Sequence, residues 1–187
     1  MKVIFSLFFI FLYCKQIVAN DLWTIDKDIS SIEFEVPVLF AKNVTGKFNT
    51  FDGFVSLDLS NQNNNKALIN VNIESLDLNY KRYKDLVLSE VFFDAQKFPL
   101  GLIDTNNFKF NYEDNNIILI GELTIKGKSQ KIPIDIEIIK LANELVHVKS
   151  EISFSRNDFE IGTGNWKNTT ILKDKINIRA NIFLFKE

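Results

Sequence analysis

The side chains able to carry chemistry are few and scattered. The one histidine, His147, stands between Val146 and Val148. Alternation along a strand would put it on the face opposite those two, toward solvent. The one cysteine, Cys14, falls in an apolar N-terminal run. With no second histidine and no later cysteine, the usual zinc ligand sets cannot be assembled, and no metal site is expected. A Ser-His-Asp relay would need a nucleophilic serine near His147, and no GxSxG elbow is present. Gly162 and Gly164 lack the strand-to-helix setting of a phosphate cradle and read as a loop turn. Spacing alone cannot pair Asp52, Asp58, Asp94 and Asp104, so it neither makes nor excludes a two-carboxylate site. Asn43-Val44-Thr45 and Asn168-Thr169-Thr170 match the glycosylation sequon, which matters only in a eukaryotic secretory route. No catalytic residue and no cofactor follow from these residues, and the expectation is a protein that is not an enzyme.

Composition narrows the class further. The chain of 187 residues has a net charge of −2, so it has no electrostatic footprint for nucleic acid. Val3 to Tyr13 is apolar apart from Ser6 and follows Met1-Lys2. That run is too short to span a bilayer and has the length of a secretory signal core. A cut near Ala19 makes residues 1–19 a signal peptide and residues 20–187 one mature domain, periplasmic or secreted. A retained N-terminal anchor is the alternative. Tyr13 before Cys14 argues against lipoprotein processing, which wants a small residue there. Cleavage would leave no cysteine and therefore no disulfide. Eighteen phenylalanines against two tryptophans and one methionine supply aromatic bulk, either for a wide core or for an interior that holds something apolar.

The elements that would position these residues are mostly strands. Ile32, Phe34, Val36, Val38 and Phe40 alternate with Glu33, Glu35 and Pro37. Val55, Leu57 and Leu59 alternate likewise, and so do Ile69, Val71 and Ile73. Phe108, Phe110 and Tyr112 read as a strand. Lys126-Gly127-Lys128 joins Ile117–Ile125 to the run Ile132, Ile134, Ile136 and Ile138, the strongest hairpin signal in the chain. Val146 to Phe154 and Ile176 to Leu184 complete about eight long strands. Asn61 to Lys66 is a polar loop, and Asp158 to Asp174 a long one. The count fits an antiparallel barrel or a two-sheet sandwich, and long strands joined by tight turns favour the all-β, antiparallel, up-and-down barrel, because closure removes exposed edges. The period changes once, between Leu76 and Pro99. There Tyr83, Leu86, Val87 and Val91 fall at helical spacing before Phe92-Phe93. This short helical insertion is either a lid over the barrel or a connection covering an edge. Pattern alone leaves open whether the interior is filled or hollow.

Five blocks in order resemble the YceI-like family. They are Trp23-x-Ile25-Asp26 with Ser30-Ser31-Ile32-x-Phe34; Val44-x-Gly46-x-Phe48 with Phe51-x-Gly53; Leu88-Ser89-x-x-Phe92-Phe93-Asp94 with Lys97-Phe98-Pro99; Gly121-x-Leu123-Thr124-Ile125-x-Gly127; and Arg156-x-Asp158-Phe159-x-Ile161. The resemblance implies a lipocalin-like barrel enclosing a long-chain isoprenoid lipid, polyprenyl phosphate or quinone-like. It implies a wall formed by Phe34, Val36, Val38, Ile69, Val71, Ile134 and Ile136, with Tyr83, Leu86, Phe92 and Phe93 on the flap. Carriage of such a lipid would bring transient membrane contact, by a monomer or a homodimer. Two departures stand out. Ile29-Ser30 replaces the family's His-Ser, and Tyr83-Lys84-Asp85-Leu86-Val87 replaces its Arg-Asp-x-His-Leu. The polar head group would then fall to Arg82 and Lys84. A ligand-free barrel serving as a protein-interaction or structural module of the envelope is the alternative function.

Overall fold

A computed structural model describes residues 22–58, 65–110 and 116–186. The expected signal peptide, Tyr112 and most of the Asn61–Lys66 loop lie outside them. The strands are β1 (Leu22–Val36), β2 (Val44–Phe48), β3 (Phe51–Ser56), β4 (Lys66–Asn72), β5 (Leu76–Leu78), β6 (Leu100–Asp104), β7 (Asn116–Ile125), β8 (Lys128–Ala142), β9 (Leu145–Ser155) and β10 (Lys175–Lys186). The only α-helix among the described residues is α1, Lys84–Leu88.

Among the described residues ten strands make eight staves. β2 pairs with β5 while β3 pairs with β4, so β2–β3 and β4–β5 are each one stave with a break. Every pairing is antiparallel, and β10 closes the ring on β1 through Phe34↔Ile178 and Trp23↔Lys186. The barrel is an up-and-down meander, as the alternation of residue types implied. β8 shows why: Ile132, Ile134, Ile136 and Ile138 are buried while Lys131, Pro133 and Asp135 are exposed.

β1 carries the irregularity. The stretch from Asp26 to Ser31 faces only Phe183 to Asn181 of β10, so extra residues bulge outward and the inward parity changes from Trp23 and Ile25 to Ile32, Phe34 and Val36. Ser30 Oγ accepts from the Phe183 backbone N–H at 2.9 Å, restoring a bond the bulge would have lost. The Lys126-Gly127 turn forms as expected, with both residues at positive φ (52° and 70°), the geometry that matches strand twist.

One strand is displaced from its expected position. Residues 108–110 do not form the fourth stave; β6 does, pairing Leu102 with Thr124 and Asn70. Phe108 makes only an isolated bridge to Asn65, and both Phe108 and Phe110 are buried. Their alternation reflects plugging of the barrel base, not sheet pairing.

In a meander, connections alternate between the two ends. One end, the rim, therefore collects the β1–β2 turn (residues 37–43), the flap between β5 and β6 (residues 79–99), the β7–β8 hairpin and the β9–β10 loop (residues 156–174). The other end is the base. There the Trp23 indole N–H donates to the Leu57 carbonyl at 2.9 Å, and both side chains are almost wholly buried.

Candidate functional site

The inward side chains do not meet at the axis. They enclose a cavity of about 520 Å3 that runs from Leu57, Phe108 and Leu184 near the base to the rim. This lies within the range of roughly 300–1,000 Å3 usual for ligand sites. The wall is almost wholly aliphatic and aromatic, and the exposed members of its lining, including Lys42, Arg82, Tyr83, Trp166 and Ile171, all come from the rim. The opening is therefore at that end.

Phe34, Val36, Val38, Ile69, Val71, Ile134 and Ile136 all line the cavity, as do Tyr83, Leu86, Phe92 and Phe93 from the flap. Arg82 reaches the rim with its guanidinium carbon 4.8 Å from the Tyr83 ring centroid. Lys84 does not line the cavity. It is the first residue of α1, whose inward positions are Leu86 and Val87. His147 is on the outer face, stacked on Phe183 with centroids 4.2 Å apart. Asn43 of the first sequon is engaged: its Oδ1 accepts from the Val38 backbone N–H and its amide donates to Glu35. Among the described residues no three His, Cys, Asp or Glu side chains converge on a metal position. Nor is any helix there long and apolar enough to cross a membrane.

The flap is stitched down at both edges. Near its start the Asn79 amide donates to the Asn43 carbonyl at 2.9 Å, and the Tyr80 hydroxyl donates to the Lys42 carbonyl at 3.3 Å. Near its end the backbone N–H groups of Gly162 and Thr163 both donate to the Val91 carbonyl at 2.9 Å. Phe92 also packs on Trp166, centroids 5.6 Å apart. The β7–β8 hairpin locks the same corner, where the Lys126 ammonium donates to the carbonyls of Glu90 and Glu160. A hydrogen bond and salt bridge from Lys128 at 2.9 Å hold the Glu160 carboxyl below its ordinary range.

Arg156, which sequence reasoning misses as a site residue, organises the rim. Its donors reach five carbonyls: Lys173 from Nε, Ile161 and Gly162 from Nη1, Asn168 and Leu172 from Nη2. Its side chain lines the cavity and is 1% exposed. Burial lowers its pKa and nearby Asp174 opposes the shift, but a guanidinium stays charged throughout. Parity held the signal. Val146, Val148, Ser150, Ile152 and Phe154 point inward, and Arg156 is next in that series.

Two further residues shape the void. Phe34 leans over Gly46 on the paired strand; a Cβ at Gly46 would lie 2.6 Å from the ring and 2.9 Å from the Asp77 carbonyl. Gly46→Val is expected to destabilise by about 1–3 kcal/mol in urea unfolding, because the ring must be driven into the cavity or the strands apart. Deeper in, Ser150 Oγ is buried with no hydrogen-bond partner among the described residues. A lone hydroxyl in an apolar wall is costly unless something else meets it.

Comparison with known proteins adds a family. The profile described as YceI-like domain matches residues 23–184, nearly the full barrel. The chain belongs to the YceI-like family. Curated relatives include UPF0312 proteins of Vibrio cholerae (30% identical over 110 residues) and Vibrio vulnificus (32% over 110 residues). Each match spans 59% of this chain and 58% of the relative, so the chain covers under two thirds of their length. Among solved structures, BcnA of Burkholderia cenocepacia superposes with TM-score 0.77 at 24% identity, covering 85% of this chain and 98% of that one. A polyisoprenoid-binding domain from Saccharophagus degradans gives 0.72 at 10% identity, covering 90% and 100%. The Campylobacter jejuni YceI protein gives 0.71 at 23%, covering 81% and 89%. At these identities the likeness establishes the barrel fold.

Proposed function

We propose that this YceI-like barrel is a binding protein of the periplasm or another secreted compartment that encloses the tail of an isoprenoid lipid, polyprenyl phosphate or quinone-like, for carriage or storage. The observation that carries this reading is the continuous apolar cavity that reaches the surface at the rim. A prenyl tail has no hydrogen bonds to satisfy, so a wall that is almost wholly apolar holds it by removing its surface from water, at about 25 cal/mol per Å2. Phe34, Val36, Val38, Ile69, Val71, Ile134 and Ile136 supply that wall. Tyr83, Leu86, Phe92 and Phe93 cover the tail from the flap, and Arg82 meets an anionic or carbonyl head at the opening. The polyisoprenoid-binding Saccharophagus domain of the same fold supports the choice of cargo. The mechanism is sequestration and involves no bond making.

Native mass spectrometry of protein purified without detergent tests this. The expected spectrum shows a species heavier than the polypeptide, whose added mass extracts into organic solvent and fragments in isoprene steps. A bare polypeptide mass together with an empty extract would overturn the reading and leave the ligand-free module in its place.

A further inference from the structure

We infer that the rim is a docking surface for membranes carrying anionic head groups, with Phe40, Leu39 and Ile171 entering the acyl region. This rests on the reading of the cavity as a lipid site, since it names the surface through which cargo passes.

Phe40 provides the first observation. It is 97% exposed, and its φ of 57° lies in the left-handed region that bulky side chains avoid. The fold gains no packing from the ring and strains the backbone to present it. Among the described residues nothing packs on the ring, and an outlier of this kind points to a role outside the fold.

The residue is not isolated. The Leu39 N–H donates to the Ile171 carbonyl at 2.9 Å and Val38 bridges Leu172, so the β1–β2 turn and the β9–β10 loop run side by side. Ile171 is 64% exposed, and Trp166 and Tyr83 stand at the same opening. Together they form an apolar crescent beside the mouth, ending in the amphipathic rings that favour a membrane interface.

Charge selects the partner. The rim segments, residues 37–43, 79–99, 126–127 and 156–174, carry nine Lys and Arg (Lys42, Lys81, Arg82, Lys84, Lys97, Lys126, Arg156, Lys167 and Lys173) against six Asp and Glu (Asp85, Glu90, Asp94, Asp158, Glu160 and Asp174), although the whole chain is net −2. The rim is thus the basic pole of an acidic molecule. An apolar crescent inside a basic collar matches an anionic bilayer in both terms, hydrocarbon below and phosphate at the edge. An apolar protein partner would leave the collar unmatched.

Tryptophan emission of the full chain reads this directly, because Trp166 lies at the rim and Trp23 is buried at the base. Vesicles of equal phosphatidylglycerol and phosphatidylcholine, brominated in the acyl chains, are expected to quench Trp166, and Trp166→Phe to abolish the effect. Emission should recover once vesicles are removed, which separates docking from a brominated lipid drawn into the cavity. Pure phosphatidylcholine, or 0.5 M salt in place of about 0.1 M, should weaken binding several-fold. The pairs Leu39→Ser/Phe40→Ser and Lys81→Glu/Lys84→Glu should each weaken it roughly tenfold or more. Phe40→Gly should lose vesicle binding without lowering the melting temperature, which would exclude misfolding as the cause. No quenching of Trp166, or quenching that both double variants retain, would overturn the docking surface. A chain that yields extractable lipid but shows no quenching fails on docking alone. One that docks but never yields lipid supports docking and overturns the cargo beneath it.

Discussion

Ala180→Trp is expected to strip the barrel of its lipid while leaving the barrel folded. Ala180 lies on β10, pairs with Ile32 and Ser150, and lines the cavity halfway along the sheet. A tryptophan there points into open space and not into packed side chains, so the overpacking cost of a filled core does not arise. It does occupy tail volume. Excluding one isoprene unit of five carbons at about 0.8 kcal/mol each removes about 4 kcal/mol, roughly a thousandfold in affinity. Native mass spectrometry should show the bare polypeptide, with circular dichroism and melting close to the parent. Retention of the full lipid complement with the indole seated in the barrel would show that the cargo lies elsewhere.

The second large effect concerns stability. Arg156→Met should destabilise by about 3–5 kcal/mol, since it leaves buried carbonyls of the β9–β10 loop without donors. For a domain of this size each kcal/mol is worth about 2–4 °C, so melting should fall by roughly 6–20 °C. Arg156→Lys keeps the charge but not the planar fork, and three ammonium donors cannot replace a fan of five bonds spread over Ile161 to Lys173. It should recover little of the loss by calorimetry. The lipid site should suffer along with the loop, because Trp166 and Ile171 hang on that fan. A lysine variant as stable as the parent would mean that charge, not geometry, holds the loop.

Much of this barrel can be read from residue order because its physics is local. Alternation in β8, the Lys126-Gly127 turn and the change of period at Tyr83 each follow from side chains a few residues apart. The failures lie where a distant contact decides. Leu100–Asp104 contains a glycine and little amphipathic contrast, and it becomes a strand because Asn70 and Thr124 wait on either side. Phe108 and Phe110 mimic a strand because both must reach inward at the base. The phase of α1, which turns Leu86 and Val87 to the cavity and leaves Lys84 outside its lining, is likewise set by packing and not by charge. The hollow interior was not legible at all, since apolar side chains that fill a core and those that line a void have the same alternation. The arginine fan is tertiary as well, although the parity of β9 marks its source.

The pairing of Trp23 with Lys186 puts the first and last described strands side by side at the base. A reporter, purification handle or solid support attached beyond Lys186 would therefore leave the opening facing freely into solution. A sensor chip coated through that terminus would present every copy in one orientation, ready to report which vesicles and which lipids it accepts.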